Sequence, residues 1–200
     1  MKKIILCVCV TSIMSMTGCS PIDSLKPFDE KQAALLFDEH YTPKPAQQMI
    51  KLSLPQKRAW KKIDLSESKK GSPVMLVPAN QSAANWQESF STRISAYIGD
   101  PDMTASKFSA ETINHAAMEC KQIGSKILSS SPEAILYRLD LVDCNKGKDR
   151  TEISKAFNGR DAVYVVRYIA INGEVSADEI NKMSRVVETA RLLPNPAYHR

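Results

Sequence analysis

The chain has 200 residues, 43% of them hydrophobic and 24% charged, with a formal net charge of +5. That is enough chain for one domain with a real core. The lysines and arginines are scattered and form no stripe with interleaved aromatic residues, so this mild basic excess does not argue for nucleic acid as a partner.

The first residues read as a secretory signal. Lys2 and Lys3 lead into an apolar stretch from Ile4 to Val10 that continues to Ile13, followed by Met16-Thr17-Gly18-Cys19. The apolar core is about ten residues long, half of what a helix needs to cross a hydrocarbon layer, so the segment is a signal and not a membrane-spanning anchor.

Its last four residues resemble the lipobox of bacterial lipoproteins, in which an apolar residue, a small residue and Gly or Ala precede a modified cysteine. Thr17 and Gly18 fit that pattern, while Met16 stands where Leu is commonest. The resemblance covers residues 1–19 and implies cleavage before Cys19, a diacylglyceryl group on its sulfur and acylation of the new amino terminus. Two or three acyl chains hold a protein stably where one holds it marginally. By the family's sorting habit, Ser20 in place of Asp implies the outer membrane, with the periplasmic face favoured over the cell surface.

Loss of residues 1–18, which carry two lysines and no acid, lowers the formal charge from +5 to +3. Cys7 and Cys9 leave with the signal and lipid consumes Cys19, so Cys120 and Cys144 remain in the folded part. In an oxidising compartment these two are expected to pair, the alternative being two separate thiols. Closing a loop of about 25 residues stabilises by roughly 3 to 3.5 kcal/mol in the chain-entropy account.

Residues 19–57 differ from the rest. Pro21, Pro27, Pro43, Pro45 and Pro55 interrupt them, so no long element can run through, and only Asp29 to His40 offers a helical stretch. This part reads as an extended, lipidated tether, and residues 58–200 as a globular α+β domain.

Within that domain, Ile63 and Leu65 alternate with polar residues and Val74 to Val77 follow the turn-forming Gly71 and Pro73, which predicts two strands. Asn85 and Glu88, with Trp86, Phe90, Ile94, Tyr97 and Ile98 at helical spacing, predict a helix stopped by Gly99-Asp100-Pro101. A second helix is expected over Ser109 to Ile123, with Ile113, Ala117 and Cys120 on one face and Gly124 as its stop.

Ala134 to Cys144 reads as a strand, so the disulfide would tie the second helix to it. Glu152 to Phe157 and Ala162 to Ile171 flank Asn158-Gly159, the pair that a tight two-residue hairpin favours. Ser176 and Glu179 form a capping box, and Ile180, Met183, Val187 and Ala190 make the stripe of a last helix ended by Pro194 and Pro196. The sum is an antiparallel sheet of four to five strands with helices packed on one face.

That element order, over about 130 residues, resembles the domains related to photosystem PsbP and Mog1. The resemblance guides the fold alone, because no signature residues accompany it.

Chemistry is sparse. Glu111, His115 and Glu119 lie four apart on a predicted helix and would share a stripe, but no further ligand stands nearby to complete a metal shell. The spacing Ser66-x-x-Lys69 falls in a loop rich in serine and lysine and reads as a surface turn. Glu133, Asp140 and Asp143 would serve a glycosidase only if folded into one cleft. Glycine-rich phosphate loops are absent. No metal, cofactor or catalytic residue is therefore expected.

Tyr164 and Tyr168 share one face of the long strand with Val166, while Val163, Val165, Ile169 and Ile171 lie on the other. Either the strand is central and covered on both sides, the favoured reading, or the tyrosine face is an exposed patch that binds a partner. The function expected is that of a non-enzymatic, lipid-anchored envelope protein that binds another envelope component as an accessory subunit. A small-ligand or lipid-binding domain is the rival, and a cell-wall hydrolase comes third.

Overall fold

The computed structural model describes residues 46–55, 58–63, 74–96, 102–145 and 147–196, all within the unit Pro43–Arg200. The signal, Cys19, the Asp29–His40 stretch, the Ser66–Lys69 loop, the Gly99–Pro101 stop, and His40 and His199 lie outside the described residues.

In chain order the elements are β1 (Gln48–Lys51), β2 (Trp60–Ile63), β3 (Val74–Pro78), β4 (Glu88–Ala96), α1 (Ala105–Glu119), β5 (Cys120–Ser130), β6 (Ala134–Cys144), β7 (Arg150–Asn158), β8 (Ala162–Ile171), α2 (Ala177–Glu188) and β9 (Arg191–Pro194). Seven strands form one sheet in the order β2-β3-β4-β8-β7-β6-β5, every neighbour antiparallel, and β1 pairs with β9 in a two-stranded sheet.

The sheet has seven strands where four to five were expected, because β4 and β5 were read as helix or helix end. Segment 88–96 is a strand held between β3 and β8, in register from Glu88 opposite Ala170 to Ala96 opposite Ala162. Residues four apart, such as Phe90 and Ile94, share a face in a strand as well as in a helix, so their spacing did not discriminate. The Ser- and Thr-rich intervening positions fit the pleat better.

The helix expected over Ser109–Ile123 begins and ends earlier, at Ala105 and Glu119. The Thr104 hydroxyl accepts from the Lys107 amide at 3.1 Å, and the Asn158 side-chain oxygen takes the Ala105 amide at 2.6 Å, which together cap its start. It stops because Cys120 turns extended to pair with Cys144, and Gly124 lies inside β5 opposite Asp140.

The helices also occupy both faces of the sheet and not one. On β8, Tyr164, Val166 and Tyr168 pack with Met183 and Val187 of α2, while Val163 and Val165 pack with Phe108 and Ala116 of α1. Neighbours along a strand point to opposite sides, so the two clusters are two separate cores. The final helix is as expected: the Ser176 hydroxyl accepts from the Glu179 amide at 3.2 Å, and Ile180, Met183 and Val187 are buried. Lys155 of β7 donates to the carbonyls of Glu188 and Ala190 at its C-terminus, where a cation is favoured. Burial, the largest influence, lowers the pKa of this ammonium, and the nearby Glu188 opposes it.

Finally, the segment expected as tether through residue 57 enters the fold by residue 46. β1 pairs with β9, and Ala46, Ile50, Leu52 and Leu54 pack against the α2-side core.

The β7–β8 turn uses Asn158-Gly159 for reasons other than a two-residue turn. Neither residue has positive φ. Asn158 instead clasps two loops, accepting from Ala105 and donating to the Pro132 carbonyl at 2.7 Å. Gly159 is required by close approach, since a Cβ there would lie 2.4 Å from the Tyr164 ring and 2.7 Å from the Ala162 carbonyl oxygen. We expect Gly159→Ala to cost about 1–3 kcal/mol by overpacking, read as a lowered midpoint in urea; an unchanged midpoint refutes the contact.

Candidate functional site: an open sheet edge

Tyr164 and Tyr168, the residues considered for partner binding, are fully buried. The Tyr164 hydroxyl donates to Asp161 at 2.6 Å and accepts from the Gln48 amide at 3.1 Å, so it fastens β1 to the β7–β8 turn. The Tyr168 hydroxyl donates to Glu88 at 2.7 Å. Burial first, and then the Glu88 carboxylate, push its pKa far above the usual tyrosine range. The exposed-patch alternative is thereby corrected: α2 covers the tyrosine face.

A disulfide joins Cys120 and Cys144, which face each other across β5 and β6. Cys120 also follows directly on α1, so the bridge ties two adjacent strands at the point where the helix ends, where a tie between the second helix and the strand was expected.

The other singled-out residues have local partners. His115 Nδ1 lies 3.7 Å from Glu119 Oε2 on an exposed helix face. Among the described residues no three His, Cys, Asp or Glu side chains gather to hold a metal ion. Asp143 pairs with Lys121 at 2.6 Å, and a Glu133 oxygen accepts from the Ser131 hydroxyl at 2.8 Å. Asp140 accepts from Arg138 at 2.8 Å and from Thr151 at 2.7 Å. Its partial burial is the largest influence and raises its pKa, but the hydrogen bonds from Arg138 and Thr151 and the Arg138 charge together prevail and hold it below the usual value.

What the sequence reading missed is β5. This strand is eleven residues long, ends the sheet, and has no strand on its outer side among the described residues. A strand that ends a sheet presents a row of backbone N–H and C=O groups on its outer side. Ile127 and Leu128 are 48% and 38% exposed, and Met118 in the last turn of α1 is 75% exposed. A hollow of about 510 Å³ opens at the same end of the sheet, lined among others by Ser129, Ser130, Phe157, Ala190 and Leu192. Lys121, Lys126 and a bulge between Ile127 and Ser129 make indiscriminate pairing along the edge unfavourable. The one cue in the sequence was Ser131-Pro132-Glu133, a turn between two stretches of equal length. The Ser131 hydroxyl accepts there from the amides of Glu133 and Ala134, both at 3.2 Å.

No family model and no curated protein matches the chain. Solved structures are similar to it. Cyanobacterial PsbP (CyanoP) from Synechocystis sp. PCC 6803 shares 14% identity over 76% of this chain and 94% of that one, with a TM-score of 0.42. The Mycobacterium tuberculosis protein LpqN, described as involved in cell envelope biogenesis, shares 15% over 78% and 88%, with a TM-score of 0.48. PA94 from Pseudomonas aeruginosa, of unknown function, shares 13% over 74% and 98%, with a TM-score of 0.41.

Proposed function

We infer that the protein is a lipid-anchored envelope lipoprotein that acts without catalysis, binding an extended segment of another envelope protein along β5. The observation that carries this reading is the open eleven-residue edge flanked by exposed Ile127, Leu128 and Met118. Strand addition draws affinity from main-chain hydrogen bonds and specificity from alternate side chains, which suits a partner that offers a strand and not a rigid surface.

The Met16–Cys19 lipobox supports anchoring through Cys19, and Ser20 supports the outer membrane, on its periplasmic face. No helix among the described residues is long and apolar enough to cross a membrane, so the acyl chains would carry the attachment.

Two measurements test this together. Cys19→Ala should lose its lipid mass and leave the membrane fraction, whereas a wild type that is soluble and unlipidated refutes the anchor. Mild crosslinking of the membrane-bound full chain should yield a heteromeric product that falls to a tenth or less in Ile127→Asp. Recovery of monomer alone from the wild type, or an undiminished product in the variant, refutes the edge as the binding site.

A further inference from the structure

On the face of the sheet that α1 occupies, beyond the helix, β7 and β8 bring together Arg150 opposite Ile171, Glu152 opposite Ile169, and Ser154 opposite Arg167. The Glu152 side chain is only 4% exposed and lies between two guanidiniums, 2.7 Å from Arg150 Nε and 3.2 Å from Arg167 Nη1. Arg150 also reaches the Lys148 carbonyl at 3.4 Å, and Arg167 Nε donates to the Ser154 hydroxyl at 3.2 Å.

One carboxylate therefore serves two fixed cations and leaves a positive charge over. The outer Nη2 group of each arginine has no partner among the described residues. Arg93, whose guanidinium lies 5.9 Å from the centre of the Phe108 ring, shares a neighbouring hollow with Arg167 and has no carboxylate partner among the described residues.

This charge sits beside apolar wall. A hollow of about 490 Å³ is lined by Trp86, Ile169 and Ile171 together with Lys148, Arg150, Glu152 and Arg167. That volume falls in the range of about 300–1,000 Å³ usual for small-ligand sites, which pair an apolar lining with a few fixed polar groups. Acids of α1 line the neighbouring hollows, Glu111 beside Arg93 and Arg167 and Glu119 beside Arg150 and Arg167, but neither lines this one, whose lining acid is Glu152.

We propose that this hollow binds a small anionic amphiphile, with its carboxylate or phosphate head on Arg150 and Arg167 and its apolar body along Trp86, Ile169 and Ile171. Each arginine offers its outer Nη2 group, so a head with two acid oxygens can take one charge-assisted hydrogen bond from each, and Glu152 holds both guanidiniums in place.

The site stands apart from β5 and needs no partner protein, so it is tested separately. Purified full chain is titrated with decanoate, decyl phosphate, the uncharged glyceryl ester of decanoate, and inorganic phosphate, each below any micellar concentration, with tryptophan emission and calorimetric heat as readouts. The two anionic amphiphiles should bind saturably and at least about tenfold more tightly than the uncharged ester or phosphate alone, as expected when a charge-assisted pair and apolar contact act together. Arg167→Gln should remove the preference for the anions, and Trp86→Phe should remove the emission change while leaving the heat. Equal binding of the uncharged ester overturns the charged head site, equal binding of inorganic phosphate overturns the apolar one, and absence of binding by all four overturns the proposal. These comparisons are made on the wild type and hold even if Arg167→Gln folds poorly.

Discussion

Replacing Arg58 by alanine should lower the unfolding free energy by about 2–4 kcal/mol, because it strands a carboxylate inside the protein. Glu88 begins β4 with its side chain only 5% exposed, and its two oxygens are held by Arg58 and by the Tyr168 hydroxyl. Arg58 also reaches Glu179 of α2 at 3.3 Å and lies 5.1 Å from the centre of the Trp60 ring, while Trp60 meets Phe90 edge-on. A single side chain just before β2 thus fastens the sheet to α2.

The Arg58 side chain is 30% exposed, so water offsets part of the loss and the lower half of the range is expected. Urea unfolding of Arg58→Ala, Glu88→Gln and the double variant separates the causes. If the stranded charge dominates, the double variant recovers much of what Arg58→Ala loses, since the substituted amide oxygen would still accept from Tyr168 without carrying charge. If the double variant is as unstable as Arg58→Ala, the loss comes from packing on Trp60 and the ionic account is wrong.

Removing the disulfide with Cys120→Ser and Cys144→Ser should cost about 3 kcal/mol, equivalent to a fall in Tm of about 6–12 °C for a chain of this size. The bridged residues are separated by 24 positions and lie at the open end of the β5–β6 hairpin, so the bond closes the longest loop that this hairpin encloses. Its loss should also speed amide exchange at the start of β5, which is paired on one side alone among the described residues. A change in Tm below about 2 °C would mean that the β5–β6 ladder already supplies the closure.

Much of the second half of the domain was readable from pattern alone. β7 and β8 are apolar stretches flanking an Asn-Gly pair, α2 carries a clean helical stripe, and Ser176 caps where its side chain can reach the Glu179 amide. There the local preference and the burial demand coincide, which is the condition for a segment to announce its structure. Asn158-Gly159 marked the right turn for the wrong reason: the turn needs an asparagine that reaches two loops and a residue without Cβ beneath Tyr164, and both needs arise only when distant parts of the chain meet.

β4 and β5 were misread for two different physical reasons. In β4 the apolar residues repeat every four positions, a spacing that helix and strand share, and pairing with β3 and β8 settled the matter. β5 is an edge strand, exposed on both faces over most of its length, so burial left no alternation in Lys121 to Ser130 for a pattern to reveal. The candidate surfaces suffered likewise. For Tyr164 and Tyr168 the sequence favoured a covered face over an exposed patch, and only the packing of α2 decided between them, while the Arg150–Glu152–Arg167 arrangement exists only because two strands lie side by side.

By itself the sequence determined an α+β chain, the strong β7–β8 hairpin and a capped last helix, because each of these depends on residues close together along the chain. Tertiary structure alone decided the seven-stranded order, the placement of one helix on each face and the partner of every buried charge. Those depend on which surfaces meet, and contact between segments 30 to 120 residues apart leaves no local period to read.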